Sequence, residues 1–393
     1  MAAKVFLHVG LPKTATTYLQ TILWSNRRTL ADRGLLLPGE ARHDHLWSSR
    51  IVRDDPRFED ASEHRRGAWQ RIRDDLAAWE GTGVITHEFF AAATEEQAAR
   101  VVADLEPAEA HLVVTAREPL GLFTASWQES IKNRDVRTMA QYSRVEAGDS
   151  GGVWNWRTLD VRRVLERWSP AFPPDRVHVL PLPGPDAPRR EIWDRFAALV
   201  GVDPDCVDLS ASFPNTSMGV VEAETLRRMN FHLGEFNSAI DRGTYIRSYL
   251  ADERLVPRKG DRYWPAADRV EEARERGEAA VAYIAAQGFH VIGDLDSLRV
   301  PDELPERRTP ESVTDAEVAE VAVELAARML HDVRDLRHER RALRREVEKY
   351  RTIADAASLR LALVHRFPWL RPVLLRGKPA PPKSPPKSPP TAP

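Results

Sequence analysis

The stretch VFLHVGLPKTATTYLQ, residues 5 to 20, joins an apolar run, a short loop and the start of an amphipathic segment. The apolar run predicts a buried strand, and the residues from Ala15 onward predict a helix. Main-chain N–H groups at the start of a helix attract anions, and Thr16 and Thr17 add hydroxyl groups beside them. The stretch therefore predicts a strand, an anion-binding loop and a helix.

Lys13 distinguishes this loop from the phosphate loop of kinases and GTPases, which places lysine directly before a serine or threonine. Here Lys13 lies three residues after Gly10 and three before Thr16. The apolar run 111–116 leads into Arg117, whereas a magnesium nucleotide would favour an acid there. The pattern favours an anion that is neutralised by protein groups without a metal.

Apolar runs alternate with helical patterns through the first 200 residues. The predicted strands are 4–9, 34–37, 83–87, 111–116 and 176–182, and helical patterns include 15–32 and 63–79. This alternation predicts an α/β fold with three layers, in which helices flank a parallel sheet as in P-loop NTPases. Residues 217–300 read as mainly helical and close the same domain.

The chain changes character after residue 300. The predicted segments are a domain at 1–300, a linker at 301–313, a long helix or short coiled coil at 314–352, a basic amphipathic segment at 353–378 and a disordered Pro/Lys-rich tail at 379–393. Apolar residues from Val333 to Tyr350 follow a heptad that Arg340 interrupts. The charges there predict a solvated helix face, and a homo-oligomer seam through 333–350 is the alternative.

Composition limits the chemistry and the setting. Cys206 is the single cysteine among 393 residues, so neither an intrachain disulfide nor a cysteine metal cluster can form. The sequence has no secretory signal pattern and no run long enough to span a membrane, which predicts a cytoplasmic protein. His43-Asp44-His45 has the spacing of metal ligands but no identifiable third ligand, so we expect a loop there and no metal site.

The C-terminal region is strongly basic, with seven Lys or Arg and no acid between residues 356 and 393. In SLRLALVHRFPWLRPVLLRGK, residues 358–378, arginines alternate with leucines and aromatic residues. This composition predicts peripheral contact with an anionic membrane, on its inner face, in pieces separated by Pro368 and Pro372. A partner-docking or packed tail is the alternative, and nucleic acid is disfavoured because the basic residues are interleaved with aliphatic residues more than with aromatic ones.

Three motifs together resemble the sulfotransferases that use 3′-phosphoadenylyl sulfate (PAPS). PKTATT, residues 12–17, resembles their P-K-[ST]-G-T-T phosphosulfate loop, and VVTAREP, residues 113–119, resembles their strand that ends in arginine. In that family the loop holds the 5′-phosphosulfate, while the arginine and a later serine hold the 3′-phosphate. The resemblance implies these roles for Lys13, Thr14, Ala15, Thr16 and Thr17, and for Arg117 and Ser126. Ala15 replaces the family's glycine, and Ser126 follows Arg117 by nine residues where eight is commoner.

The third motif is GVITHEFF, residues 83–90, which resembles the threonine-histidine of sulfotransferases whose histidine is the general base. Other branches of the family use a glutamate. We expect His87 to be the base with Glu88 as the alternative, because imidazole titrates near neutral pH. If the strand continues through both residues, their side chains point to opposite faces.

The resemblance covers residues 4 to 300 and implies a sulfotransferase of the bacterial type. PAPS would be the donor without a metal, the acceptor would be a hydroxyl or amine of a carbohydrate or glycolipid, and Lys13 would stabilise charge on the bridging oxygen. Two alternatives stay open, which are a nucleotide kinase-like P-loop protein and a non-catalytic adaptor that acts through its C-terminal helix and tail. Arg117 could also serve only in a surface ion pair with Glu118.

Overall fold

The computed structural model describes residues 1–142, 153–184, 187–210 and 217–370. Its strands are β1 (Lys4–His8), β2 (Leu35–Leu36), β3 (Thr82–Thr86), β4 (Glu109–Ala116), β5 (Val177–Pro181) and β6 (His290–Val291). They form one sheet in the order β2-β3-β1-β4-β5-β6, and every pairing is parallel. The predicted α/β class is therefore confirmed, and the carboxyl ends of β3, β1 and β4 lie side by side.

The helices of the described residues are α1 (Thr16–Ser25), α2 (Arg27–Asp32), α3 (Arg42–Val52), α4 (Glu63–Arg66), α5 (Ala68–Ala78), α6 (Glu95–Leu105), α7 (Pro119–Lys132), α8 (Trp156–Leu159), α9 (Val161–Trp168), α10 (Glu191–Val200), α11 (Val220–Met229), α12 (Ala239–Asp241), α13 (Ala267–Gln287) and α14 (Asp315–Arg366). A π-helix spans Arg242–Leu255. The helical pattern predicted at 15–32 is interrupted at Asn26, whose side-chain amide donates to the carbonyls of Ile22 and Asp208.

Helices cover the sheet on both faces. On one face, α1 and α10 pack their apolar side chains, including Leu19 and Phe196, against Phe6 of β1. On the other face α5 approaches β3 closely, because a Cβ on Gly83 would lie 2.4 Å from Leu76 Cδ2. Burying apolar surface on both sides explains why the central strands are continuous apolar runs.

The sixth strand was not predicted as a strand. His290 and Val291 pair with His178 and Val179 of β5 and form the edge of the sheet. Unlike the two-residue β2, which lies within an apolar run, β6 lies at the exposed edge of the sheet and contains His290, so no continuous apolar run marks it. Their pairing places His290–Val291 in the same sheet as the five earlier strands.

The chain divides into two compact units, Met1–Ala322 and Val323–Pro393. Helix α14 continues past the predicted end at residue 352, because residues 353–366 are mostly good helix formers, and it ends two residues before Pro368. No helix among the described residues is long and apolar enough to cross a membrane. Residues 371–393, which include the predicted tail, lie outside the described residues.

Five histidines are buried inside the first unit, and burial lowers the pKa of three of them, His8, His45 and His178, from 6.5 to about 4. Because the unfolded chain binds these protons more readily, the free energy of unfolding should fall as the pH drops from about 6.5 to about 4. Each of these histidines lowers the free energy of unfolding by up to about 1.4 kcal/mol for every pH unit of acidification in that window. Urea unfolding between pH 7.5 and pH 4.5 measures this slope.

The matched variants for this prediction are His178→Gln and His232→Gln. His178 is buried, whereas His232 is exposed. Replacing His178 should make the free energy of unfolding less dependent on pH, and replacing His232 should leave the dependence unchanged. An equal stability of the wild-type protein at pH 7 and pH 5 would contradict the assignment.

Candidate functional site

Three neighbouring side chains leave no room for a Cβ at Gly10, where the chain leaves β1 and still pairs with β4. A Cβ on Gly10 would lie 2.5 Å from Thr115 Oγ1, 2.6 Å from His8 Nε2 and 2.8 Å from Thr16 Cγ2. Contacts this short require something to move, so a side chain at position 10 would displace the loop. The lone glycine of the motif therefore serves close packing.

Two residues of the loop have left-handed backbone conformations. Lys13 has φ 66° and Ala15 has φ 60°, although neither is glycine. Such conformations cost about 1–2 kcal/mol for residues that carry a Cβ. A left-handed residue beside a right-handed one is the backbone pattern from which anion-binding nests of successive N–H groups are built. Strained backbone conformations of this kind cluster at binding sites, where they place main-chain groups in position to contact a ligand.

Helix α1 begins immediately after this loop and has the electrostatics of an anion site. Ala15 occupies the N-cap, no side chain in the described part of the chain caps the helix, and its first turn contains no acid. The positive end of the helix dipole is therefore not neutralised locally. Thr17 is exposed at this end, whereas Thr16 is 3% exposed.

Replacing Ala15 with glycine should stabilise the protein. The left-handed conformation at this position penalises a Cβ, so its removal should raise the free energy of unfolding by roughly 0.5–1 kcal/mol after the extra entropy of unfolded glycine is deducted. Ala99→Gly is the matched control, because Ala99 lies exposed within helix α6 and should lose about 0.5–1 kcal/mol. Denaturant titration of both variants measures the difference, and a destabilised Ala15→Gly protein would contradict the strain.

Lys13 is held at the loop by a buried acid. Its Nζ lies 3.1 Å from Oε2 of Glu129 on α7, and Glu129 also forms an ion pair with Arg247 of the π-helix. The Lys13 side chain is 36% exposed and that of Glu129 only 8%. Burial would raise the pKa of Glu129, but Lys13 and Arg247 outweigh burial and lower it to about 2. Glu129 is therefore a fixed negative charge that positions two cations.

Thr14 differs from the expectation that its hydroxyl holds the donor. It is fully buried, donates to the carbonyl of Leu11 at 2.6 Å and shares a hydrogen bond of 2.8 Å with Thr115. Both hydrogen bonds of the hydroxyl are made inside the protein, so Thr14 could contribute only its main-chain N–H group to anion binding. The motif could not reveal this, because the partner Thr115 lies on β4.

His8 connects the ends of three strands and was not singled out from the sequence. Its Nδ1 lies 2.8 Å from Thr86 Oγ1 on β3, and its Nε2 lies 3.0 Å from Thr115 Oγ1 on β4. The chain of hydrogen bonds continues from Thr115 to Thr14 in the loop. A polar residue inside an otherwise apolar strand is the signal that could have identified it. His8 fixes the loop relative to the strands.

His87 and Glu88 lie together just after the carboxyl end of β3, so the condition under which they would point to opposite faces is not met. The strand ends at Thr86 and a 3₁₀ turn begins at Glu88, so strand alternation no longer applies. Their Nδ1 and Oε2 atoms are 3.9 Å apart. Both side chains are mostly buried, at 11% and 18% exposure.

A hydrogen bond sets the tautomer of His87. The N–H of Phe89 donates to His87 Nδ1 at 3.1 Å, and burial lowers the pKa of the ring. The neutral ring therefore carries its proton on Nε2. In this state His87 presents a hydrogen-bond donor and has no free lone pair for a proton.

Glu88 is linked to the anion loop through α1. Gln20 donates from Nε2 to Glu88 Oε2 at 3.1 Å, and Arg42 donates to Gln20 Oε1 at 2.7 Å. Burial would raise the pKa of Glu88, but the protonated form of His87, the hydrogen bond from Gln20 and the charge of Arg42 outweigh burial and keep it below its ordinary value. Because Gln20 lies one helical turn after Thr16 and Thr17, the carboxylate lies close to the anion-binding end of α1.

Arg117 follows β4 directly, at the same edge of the sheet. Its Nε lies 3.6 Å from Oε1 of Glu118, and its side chain is 37% exposed. Glu118 caps α7, where its carboxylate accepts from the N–H of Gly121. The surface ion pair considered from the sequence is present, and over a third of the guanidinium side chain still faces solvent.

Ser126 does not reach the site, which corrects the role that the resemblance implied. It is fully buried on α7, and its Oγ lies 2.6 Å from the hydroxyl of Tyr142. The extra residue between Arg117 and Ser126 turns the serine by about 100° around the helix. Ala125, at the commoner spacing, is half-buried and carries no hydroxyl.

The His43-Asp44-His45 segment forms the start of α3, so the predicted loop is wrong. Asp44 accepts from Arg71 Nη2 at 2.6 Å and from the N–H of Glu40 at 2.7 Å, which anchors this first turn. His45 is buried and lies 2.9 Å from the carbonyl of Pro38. Within the described ranges, no group of His, Cys, Asp or Glu is arranged to hold a metal ion.

The comparisons with known proteins give a distant structural neighbour. No protein-family model matches the chain, and no curated protein matches it. Among solved structures, a "Sulfotransferase Domain from the Curacin Biosynthetic Pathway" is similar at 9% identity with a TM-score of 0.31, covering 53% of this chain and 78% of that one. A TM-score this low carries no argument about the site, so the functional conclusion depends on the geometry described above.

Proposed function

We propose that this protein is a sulfotransferase that moves a sulfuryl group from PAPS to a hydroxyl or amine of a carbohydrate or glycolipid. The observation that carries the proposal is the link from the anion-binding end of α1 through Gln20 to the carboxylate of Glu88. A group-transfer enzyme needs a site for the activated anion and a base beside it. Both lie at the carboxyl end of the sheet, where open α/β folds bind ligands.

The left-handed loop and the uncapped start of α1 suit the 5′-phosphosulfate of the donor. In the proposal its oxygens accept from the main-chain N–H groups of the loop and from the exposed Thr17. Lys13 stabilises the charge that develops on the bridging oxygen. Glu129 keeps Arg247 as a partner when Lys13 turns toward the anion, so its carboxylate stays neutralised.

Arg117 is assigned to the 3′-phosphate without Ser126. A guanidinium can bind phosphate through two parallel hydrogen bonds, and the 3.6 Å contact with Glu118 leaves it partly exposed. The proposal therefore includes a second anion site that depends on one side chain. Because no second residue compensates, replacing Arg117 should weaken binding of the 3′-phosphate more than it would in a site with two ligand residues.

Glu88 is the general base in this proposal, which revises the initial preference for His87. The lowered pKa of Glu88 keeps its carboxylate ionised at neutral pH, so an oxygen lone pair is available for the proton, whereas the neutral His87 ring presents Nε2–H. The acceptor hydroxyl loses its proton to Glu88 as its oxygen bonds to sulfur and the bond from sulfur to the bridging oxygen breaks. His87 orients the acceptor oxygen or the sulfuryl group by donating to it.

The surroundings of this base favour a sugar as the acceptor. The Phe89 ring lies 4.8 Å from the His87 ring and 6.2 Å from the Trp154 ring, measured between centroids. Both aromatic residues are half-buried and therefore present part of their surface. Aromatic rings beside a few polar groups are typical of small-molecule sites and suit the apolar face of a sugar ring.

The proposal is tested by incubating the full chain with PAPS and a panel of glycans, glycolipids and amines in EDTA. We expect release of 3′,5′-adenosine bisphosphate that depends on an acceptor, with the mass of the acceptor increased by one sulfuryl group. A parallel reaction with ATP and magnesium tests the kinase-like alternative. Phosphoryl transfer in that reaction, with none from PAPS, would contradict the proposal.

A further inference from the structure

Helix α14 presents a long stripe of apolar side chains to solvent. Within the second unit, Val333, Leu336, Leu343, Val347 and Tyr350 recur at spacings of three, four and seven residues. Each of them is between 45% and 65% exposed. A helix with such a stripe has an apolar face that the described part of its own chain does not cover.

We propose that this face binds the same face of a second copy of the chain, as a parallel, in-register, two-stranded coiled coil. The heptad places Val333, Arg340 and Val347 at the a positions and Leu336, Leu343 and Tyr350 at the d positions. The stripe continues because α14 extends to Arg366. The later a and d positions are Ala354, Ala357, Leu361 and Val364. This inference does not rest on the proposed enzymatic function.

The charges that flank the stripe determine its partner. The g positions are Asp332, Glu339 and Glu346, which are all acidic, and the e positions are Arg337, Arg344 and Arg351, which are all basic. In a parallel coiled coil each g residue faces the e residue five positions later on the other helix. Glu339 then meets Arg344 of the partner subunit, and the other two pairs are equally complementary.

The same charges exclude the antiparallel arrangement. That arrangement places g residues opposite g residues and e residues opposite e residues, so acids would face acids and arginines would face arginines. Within one helix, residues five apart do not face each other, so these pairs do not form inside a single α14. The acidic g residues and the basic e residues therefore attract each other only between two copies in parallel register.

The residues of the stripe also favour two strands over three or four. β-Branched Val333 and Val347 at a positions, with Leu336 and Leu343 at d positions, are the combination that prefers dimers. Arg340 is a charged residue at an a position, and a buried polar residue there fixes register and number of strands at a cost in stability.

The first test measures the mass of the full chain in solution by sedimentation equilibrium. We expect twice the chain mass of 44.5 kDa at micromolar concentration. Leu343→Asp should give the monomer mass, whereas Arg345→Asp should remain a dimer because Arg345 is at the f position and faces away from the seam. Circular dichroism of both variants checks that the first unit stays folded. A monomeric or trimeric wild-type chain would overturn the proposal.

The second test measures orientation. In a Cys206→Ser background, which removes the single native cysteine, Leu343→Cys should form an interchain disulfide under mild oxidation, because d positions of parallel in-register helices face each other. Arg345→Cys should not. A dimer in which neither cysteine cross-links would exclude the parallel register.

The third test concerns the charges. A triple variant, Arg337→Glu with Arg344→Glu and Arg351→Glu, makes all six interhelical pairs repulsive and should weaken dimerisation at least about 100-fold. Exchanging Asp332, Glu339 and Glu346 for arginine in a second chain should restore a heterodimer when the two variants are mixed. A triple variant that dimerises as tightly as the wild type would show that the charges do not select the partner.

Discussion

Replacing Lys13 with alanine is expected to lower the rate of sulfuryl transfer by about 10²–10³-fold, the usual effect of removing one donor that stabilises developing charge. Lys13 lies in the left-handed part of the loop, immediately before α1, and its ammonium group is fixed by Glu129 at 3.1 Å. The loss should appear mainly in kcat, because the charge on the bridging oxygen develops in the transition state. Steady-state kinetics with PAPS measure it.

The control for this variant is Lys4→Ala. Lys4 begins the same strand, but at the opposite end of the sheet, where it pairs with Glu109 at 3.5 Å. We expect Lys4→Ala to retain its kcat, which would show that loss of one lysine charge is not itself harmful. If Lys13→Ala kept the wild-type kcat, the loop would not be the site of the transferred group.

Replacing Glu88 with glutamine should reduce kcat by about 10²–10⁴-fold, the range expected for loss of a general base. Glutamine preserves the size of the side chain and a carbonyl oxygen for the hydrogen bond from Gln20, but it cannot accept the proton. His87→Asn should have a smaller effect, because His87 donates a hydrogen bond in the proposed mechanism.

Glu96→Gln is the matched control, because Glu96 lies exposed on α6 away from β3. It should retain full activity. The comparison between the two site variants decides the base. A His87 variant that is inactive beside a fully active Glu88→Gln enzyme would restore the original assignment of the histidine.

The fold could be predicted from the sequence because its central strands are buried on both faces. Continuous apolar runs such as 111–116 are the direct result of helices on each side, and five of the six strands were predicted within a few residues. The sixth lies at the exposed edge of the sheet, and His290 interrupts its apolar run. The turn at Asn26 depends on Asp208, which is distant in sequence, so the helical period continued through it without a signal.

The candidate site could be predicted from the sequence only in part. A motif specifies where a residue lies along the chain, but not which distant residue its side chain contacts. Lys13 was identified by its place in the loop motif, and Arg117 by its place at the end of a strand. The hydroxyls of Thr14 and Ser126 were assigned to the ligand, but they bond to Thr115 and Tyr142 inside the protein.

The choice between His87 and Glu88 illustrates the same limit at a smaller scale. The sequence showed two adjacent titratable residues at the end of a strand, and the imidazole was preferred for its ordinary pKa. The deciding feature is one hydrogen bond from the N–H of Phe89, which forms because the chain leaves the strand at this point. Sequence patterns do not predict the end of a strand to within one residue, so they could not show this change of backbone conformation.

The most direct test of the central claim is calorimetric titration of the full chain with 3′,5′-adenosine bisphosphate in EDTA, with ATP titrated in parallel. The account predicts metal-free binding that discriminates against ATP and weakens at least about 10-fold in Arg117→Ala, since a lost charge-assisted hydrogen bond costs about 1.5–3 kcal/mol. Absence of binding to the wild-type chain, or binding that requires magnesium and prefers ATP, would contradict the account.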